Sequence, residues 1–518
     1  MMTLPSAFRR IQRNYRDRPA IVDREARFTW GEWLDRVARA AAVLQSRGVK
    51  PGDRYGIVGR NTFRHYELLH AGYWMGAIPV PVNNRLAPPE IRHILNDAGV
   101  RVLAVEDVFL DLFKTPDLLA WQADMFGFGA KPVPGLADYE TLLAKALPAP
   151  LNEPGEEDDA ILLYTGGTTG RSKGVRLTHA NIVSNGLQCI AALRMREDDV
   201  YLHIAPMFHS ADLLGTGFTL LGAAHAFMPQ FTPVNVLQAI QEYRITFAMM
   251  APTMVILVLQ EPSFDRYDIA SFRRLFYGSS PMAVEWIKRT LERFTTTEVE
   301  QGYGLTETAP ILTVLPVADH LAALASGDHE ALKSCGRSVP GLDLRVVDDE
   351  GREMPTGDAG EVVVRGPNVT PGYLNLPDIN RSTFTDGWFH TGDVGKFDAR
   401  GNLYLLDRKK DMVITGGENV YTSEVEAAIY QHPAVFEAAV FGVPDDTYGE
   451  ALFAAVVVAP GKTLTAEELI AHCRGKIGGY KIPRRYAFLA AMPKSAMGKI
   501  LKTELRRSYG GGAQKKAS

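Results

Sequence analysis

The stretch Ala160-Ile161-Leu162-Leu163-Tyr164-Thr165-Gly166-Gly167-Thr168-Thr169-Gly170-Arg171-Ser172-Lys173-Gly174 decides how this chain is read. Its first five residues form an apolar run that reads as a buried strand. The next ten hold four glycines and three threonines. A backbone of that composition can turn its N–H groups towards an anion, while the hydroxyls add donors and Arg171 and Lys173 add charge. The phosphates of a nucleoside triphosphate suit such a loop best. The GxxxxGK[ST] spacing of a Walker A loop is absent, and so is the dinucleotide GxGxxG. Taken alone, the segment also reads as a flexible surface loop.

On either side, apolar strand-like runs alternate with amphipathic helices, which predicts α/β layers. Thr29 and Glu32 form a capping-box pair ahead of the stripe Leu34, Val37, Ala41 and Leu44, and Gly48 stops that helix. A strand is expected at 55–58, a helix through 66–74, and a further strand at 77–82. Residues 147–159, with Pro148, Pro150, Pro154 and Gly155, read as a connector inside the large domain. The charges Asp407-Arg408-Lys409-Lys410-Asp411 mark the start of a second region. There Ser423 with Glu426, and Thr465 with Glu468, read as capping boxes, and 434–443 and 451–458 read as strands.

Composition narrows the function classes. The 518 residues are too many for one ordinary core. Apolar residues make up 46%, and 56 Lys and Arg face 60 Asp and Glu, leaving a formal charge of -4. That balance gives no global attraction to nucleic acid or to an anionic membrane. The three cysteines, Cys189, Cys335 and Cys473, are far apart and suggest neither a disulfide framework nor a zinc site. The N-terminus lacks an apolar core for a secretion signal. The most apolar stretch, 247–259, contains Pro252, falls short of the ~20 residues a bilayer requires, and reads as a buried strand and helix. A cytoplasmic enzyme is expected.

Residues 164–175 resemble the phosphate-loop signature of the adenylate-forming superfamily, which contains acyl-CoA synthetases, adenylation domains of peptide synthetases, and firefly luciferase. Gly166 stands where Ser is usual, and Ser172 where Pro is usual. Further matches follow in the family's order. Pro206-Met207-Phe208-His209 resembles the segment that places a histidine beside the acyl pocket. Phe276-Tyr277-Gly278-Ser279-Ser280-Pro281-Met282 resembles the turn that lies against adenine, its glycine forming part of the acyl wall. Gln301-Gly302-Tyr303-Gly304-Leu305-Thr306-Glu307-Thr308 resembles the motif that stacks adenine, contacts the α-phosphate and ligates Mg²⁺. The block 360–373, from Gly360 to Tyr373, resembles a further motif and reads as structural. Trp388-Phe389-His390-Thr391-Gly392-Asp393 and Asp407-Arg408 resemble the ribose and nucleotide contacts. Ile414-Thr415-Gly416-Gly417-Glu418-Asn419-Val420-Tyr421 and Pro493-Lys494-Ser495-Ala496-Met497-Gly498-Lys499-Ile500 resemble the pantetheine face and the catalytic-lysine motif. The resemblance runs from about Arg18 to Arg507 and is strongest to fatty-acid-type acyl-CoA ligases.

What the resemblance implies is specific. The fold is α/β, with a large N-terminal domain of layered α/β subdomains plus a β-subdomain (1–409), a small mobile C-terminal α/β domain (410–507), and a disordered tail (508–518). Lys499, Thr169 and Glu307 are the catalytic residues. ATP and AMP are bound by Thr165, Gly166, Gly167, Thr168, Thr169, Gly170, Lys173, Ser279, Ser280, Gly302, Tyr303, Gly304, Thr306, Asp393, Arg408 and Lys499. The acyl pocket involves His209, Tyr277, Gly278 and Pro310, with Leu213, Leu214, Gly302 and Ile311 nearby. Gly416, Gly417 and Asn419 take the CoA pantetheine arm, Lys410 is the hinge, and Glu307 ligates Mg²⁺. ATP, Mg²⁺ and coenzyme A are the expected cofactors and co-substrates, and a homodimer is expected by analogy.

The implied reaction joins an apolar monocarboxylic acid to CoA through an acyl-adenylate, with a medium- or long-chain fatty acid as first choice. An aryl or arylalkenoic acid ligase, or a stand-alone adenylation enzyme loading a carrier protein, is the alternative. A luciferase-like oxidase would require light or O₂ uptake. A non-catalytic nucleotide binder would release no pyrophosphate, and the presence of Thr169, Glu307, Asp393 and Lys499 argues against it.

Overall fold

A computed structural model describes residues 2–132, 135–165, 172–415, 418–445, 447–474, 476–494 and 500–510. The chain divides into two compact units, Met1–Leu344 with Val364–Phe389, and Arg345–Val363 with His390–Ser518. Among the described residues no helix is long and apolar enough to cross a membrane, and the three cysteines are free and buried.

Local signals set the first unit's elements. Thr29 and Glu32 close a capping box on the helix Trp30–Ser46, which buries Leu34, Val37, Ala41 and Leu44, and Gly48 takes a left-handed φ of 86° just past its end. The strand Arg54–Val58 and the helix Phe63–Met75 follow. The apolar stretch around Pro252 is a strand, Phe247–Met250, and a helix, Pro252–Leu259, with Pro at the first helical turn. A parallel sheet runs in the order Ile78–Pro81, Arg54–Val58, Leu103–Glu106, Met125–Phe128. A nine-stranded sheet has a parallel centre through Glu298–Gly304, Arg274–Gly278, Phe247–Met250, Val200–His203 and Ala224–Phe227. The strands Asp159–Thr165 and Lys173–Thr178 pair with each other as an antiparallel hairpin, Thr165 opposite Lys173. Residues 166–171, the centre of the glycine-rich segment, lie outside the described residues.

In the second unit, Leu403–Arg408 pairs antiparallel with Trp388–Phe397, which sets Asp393 opposite Arg408. Glu418–Val420, Val413–Thr415, Gly449–Val458 and Val435–Asp445 form a sheet whose strand Gly449–Val458 also takes Arg485–Phe488 in parallel. Thr465 and Glu468 do cap the helix Ala466–Cys473. Ser423 and Glu426 do not form a capping box, which corrects the sequence expectation. The helix Thr422–Tyr430 has Tyr421 as its N-cap, the Ser423 hydroxyl donates to the Leu406 carbonyl, and Glu426 accepts from the Val440 N–H and pairs with Lys502. The last helix, Lys502–Tyr509, carries regular structure two residues into the stretch expected to be a disordered tail. Residues 511–518 lie outside the described residues.

Histidines serve the first unit's interior as neutral struts. Burial pushes His65 and His320 down to about 4 and His70 to about 3, and it holds His225 well below its ordinary value. The Nδ1 atoms of His65, His70 and His320 sit 2.8–3.1 Å from main-chain carbonyls, so each of these rings donates there as a neutral imidazole. The unfolded chain takes up these protons near pH 6.5 while the folded chain refuses them. Their contribution to stability is therefore complete above pH 6.5 and is lost as pH falls towards 4. Thermal and denaturant unfolding of the full chain should show stability falling steeply over that window. Each such ring costs roughly 3 kcal/mol of stability once the pH has fallen through its folded value, and His320→Gln should flatten the slope.

Candidate active site

Ligands of open α/β sheets collect at the carboxyl ends of the parallel strands, and the sequence motifs fall there. Arg274–Gly278 and Glu298–Gly304 pair in register Gly278 to Gly302. Beyond the first strand Ser279 takes a φ of 70°, and Ser279 and Ser280 are exposed. The two glycines are sterically required. A Cβ on Gly278 would lie 2.6 Å from the Gly302 carbonyl oxygen, and one on Gly302 would lie 2.1 Å from the Phe276 ring. Phe276 is fully buried in a cluster with Ala205, Ala211, Leu214, Met249 and Ile311. Successive strand residues point to opposite faces, so Tyr277 points away from that cluster. It is buried among Ile287, Val299 and Met282, with its hydroxyl 3.0 Å from His320 Nε2. Tyr277 is therefore a core residue, and the ring on the Gly278–Gly302 face is that of Phe276, which the sequence reading passed over.

The turn carrying Thr306 and Glu307 is held by residues distant in sequence. Asn185 accepts from the Ile311 N–H and donates to the Ile311 carbonyl at 2.8 Å. Asn368 donates to the Thr308 carbonyl at 2.7 Å, and the Thr370 N–H donates to the Glu307 carbonyl at 2.8 Å. The Tyr373 hydroxyl donates to Glu307 Oε1 at 2.7 Å, and Lys173 Nζ stands 4.6 Å from the centre of the Tyr373 ring. Thr306 Oγ1 lies 2.9 Å from Ser210 Oγ, which ties this turn to the one that bears His209. Tyr303 is nearly buried on the strand just before the turn. Asn185, Ser210 and Asn368 escaped the sequence reading because a lone amide or hydroxyl gives no local pattern. Tyr373 lay in a block read as structural.

His209 precedes the short helix Ser210–Leu214, and its Nδ1 accepts from the Ala211 N–H. A neutral His209 therefore carries its proton on Nε2. Below it the Asp212 carboxylate meets His203 Nδ1 at 2.7 Å, and His203 Nε2 meets His225 Nδ1 at 2.9 Å. This buried chain fixes the helix from beneath. Leu213 is half-buried, Leu214 is buried, and Pro310 ends the Thr306 turn.

The remaining expected residues belong to the second unit. Asp393 lies inside the ten-residue strand Trp388–Phe397. It is buried and paired with Arg408, Nε to Oδ1 2.6 Å, so the two expected nucleotide contacts hold each other. Lys410 and Asn419 are exposed. Gly166, Gly167, Thr168, Thr169, Gly170, Gly416, Gly417 and Lys499 lie outside the described residues.

Among the described residues no three His, Cys, Asp or Glu side chains are grouped to hold a metal. Glu307 offers a single carboxylate beside the hairpin that presents Lys173. That fits Mg²⁺, which takes one or two carboxylates and completes its shell with water and phosphate oxygens. The close packing behind this site is testable by denaturation. Gly302→Ala should destabilise the chain by about 1–3 kcal/mol through overpacking on Phe276. Combined with Phe276→Leu, the loss should be smaller than the sum of the two single changes.

Residues 8–374 match the family of AMP-binding enzymes, and residues 424–499 match the AMP-binding enzyme C-terminal domain. The chain is 37% identical to a feruloyl-CoA synthase of Amycolatopsis sp, over 93% of this chain and 94% of that one. It is 35% identical to the long-chain-fatty-acid–CoA ligase FadD13 of Mycobacterium tuberculosis, over 94% of each. ATP-bound MatB of Rhodopseudomonas palustris superposes with a TM-score of 0.88 at 31% identity, covering 98% of this chain and 99% of that one. The chain belongs to the AMP-binding enzyme family and is an AMP-forming acid–thiol ligase.

Proposed function

We propose that the enzyme activates an apolar monocarboxylic acid with ATP and transfers the acyl group to coenzyme A. The observation that carries this reading is the meeting of two turns. The Thr306–Glu307 turn and the His209 turn are joined by the Ser210–Thr306 contact of 2.9 Å, and Lys173 stands beside Glu307 across Tyr373.

In the first half-reaction a substrate carboxylate oxygen attacks the α-phosphorus and pyrophosphate leaves, giving the acyl-adenylate. Both reactants are anions, so fixed positive charge and aligned donors lower the barrier. Lys173, Thr306 and the hydroxyls of Thr165, Thr168 and Thr169 supply these, and Lys499 bridges the carboxylate and the α-phosphate. Mg²⁺, when bound at Glu307, neutralises phosphate charge. In the second half-reaction the CoA sulfur attacks the acyl carbonyl, AMP leaves with the bonding pair, and the thiol proton is released. The small domain turns about Lys410, withdrawing Lys499 and presenting Gly416, Gly417 and Asn419 to the pantetheine arm. Asp393 takes the ribose hydroxyls and Arg408 approaches the nucleotide.

For the acid, the Phe276 ring fills the space behind Gly302, which favours a flat, compact acid of the aryl or arylalkenoic class. That reading agrees with the resemblance to a feruloyl-CoA synthase. A medium- or long-chain fatty acid, the substrate class of the similar FadD13, needs the ring to move and stands second. Pyrophosphate release screened across aryl and alkyl acids, with and without CoA, separates the two. Arylalkenoic acids should give the higher kcat/KM, and Phe276→Ala should shift preference towards longer chains. Release that rises with chain length in the unaltered enzyme sinks the first reading. Lys499→Ala should lower adenylation at least ~10²-fold while sparing thioester formation from supplied acyl-adenylate. Gly417→Leu should do the reverse.

A further inference from the structure

We propose that Tyr373 is a positioning residue that keeps the cation of Lys173 and the carboxylate of Glu307 apart and separately available, the one for phosphate and the other for a divalent cation. The proposal rests on the reading of Glu307 as a metal ligand. It starts from how firmly Tyr373 is placed. The side-chain amide of Asn380 takes both of its main-chain groups, accepting from the Tyr373 N–H at 2.8 Å and donating to the Tyr373 carbonyl at 2.9 Å. Tyr373 also bridges to Val175, and the Leu374 N–H donates to the Gly174 carbonyl at 2.8 Å. The tyrosine is thereby laid as an extra rung along the strand Lys173–Thr178, whose first residue is the phosphate-loop lysine. Gly372 makes this approach with a φ of 140°, and a Cβ there would touch the Asn380 amide.

From that seat one side chain serves two charges. The ring face receives the Lys173 ammonium at 4.6 Å, an attraction to the negative face of the π system. The hydroxyl donates to Glu307 Oε1 at 2.7 Å, the length of a charge-assisted bond to an ionised carboxylate. Oε2 has no protein partner among the described residues. Opposite charges this close would otherwise pair directly, and a lysine closed on Glu307 would be lost to the phosphates while Glu307 was lost to the cation. The aromatic spacer prevents that collapse, because the ring attracts the ammonium without donating or accepting a proton. The phenol hydroxyl holds one carboxylate oxygen and leaves the second for a cation. This is the supporting role that partners of metal-ligating carboxylates take elsewhere, where their loss costs 10–100-fold in affinity.

The two functions separate by substitution. Tyr373→Phe keeps the ring under Lys173 and removes only the hydroxyl on Glu307. Mn²⁺ binding to the full-length enzyme with ATP, read from the free Mn²⁺ signal by electron paramagnetic resonance, should weaken roughly 10-fold, with the KM for ATP at saturating metal unchanged. Tyr373→Leu should add a rise in that KM. Asn380→Ser, which loosens the seat without touching either charged group, should weaken Mn²⁺ binding in the same direction by a smaller factor, and it stands in should Tyr373→Phe not fold. Unchanged Mn²⁺ affinity in Tyr373→Phe or, where that variant does not fold, in Asn380→Ser, alongside a loss in Glu307→Gln, overturns the role given to Tyr373. Unchanged affinity in Glu307→Gln as well overturns the metal-ligand reading and this inference with it.

Discussion

A buried turn must satisfy every peptide group it carries, and the turn between the strands Glu298–Gly304 and Ile311–Leu315 does so with amides brought from afar. Asn185, 126 residues away, takes both main-chain groups of Ile311. Asn368, 60 residues from Thr308, takes that residue's carbonyl. Thr306 and Glu307 are aimed because the backbone under them cannot relax, and the strand ends on either side inherit the same rigidity. The segment 364–389, part of the first compact unit, supplies the Asn368 and Thr370 bonds that close the turn.

The same region reconciles close packing with charge. Gly278 and Gly302 approach until no Cβ fits between them, and Phe276 lies on the second of them, so the wall beside the turn is dense and apolar. Lys173 and Glu307 are half-buried on either side of Tyr373, whose ring faces the ammonium and whose hydroxyl donates to the carboxylate. Below His209, burial holds His225 well below its ordinary value, and hydrogen bonds link it through His203 to Asp212. Electrostatic work is left to side chains that can meet an incoming anion without prior neutralisation.

The sequence made legible whatever is local. Thr29 with Glu32 and Thr465 with Glu468 marked helix starts because a box of four residues is decided within four residues. Ser423 and Glu426 have the same spacing yet serve other partners, Leu406 on one side and Val440 and Lys502 on the other, because tertiary hydrogen bonds outbid the local one. Strand alternation assigns Tyr277 and Phe276 to opposite faces, but which face holds the acid depends on the register with Gly302, and register belongs to the sheet. The motifs pointed to candidate reacting groups. They could not identify Asn185, Asn368 or the office of Tyr373, since each acts on a main chain or charge far along the sequence.

The ion pair of Asp393 with Arg408 balances a buried carboxylate inside the second unit. A carboxylate balanced by a guanidinium keeps lone pairs that can accept further hydrogen bonds without an uncompensated charge. With its partner in place the acceptor's rotamer is fixed, so a further hydrogen bond made there would cost little side-chain freedom. A carboxylate and guanidinium in direct contact are screened far less by salt than exposed charges set apart, so this corner of the second unit keeps its shape across a wide range of ionic strength.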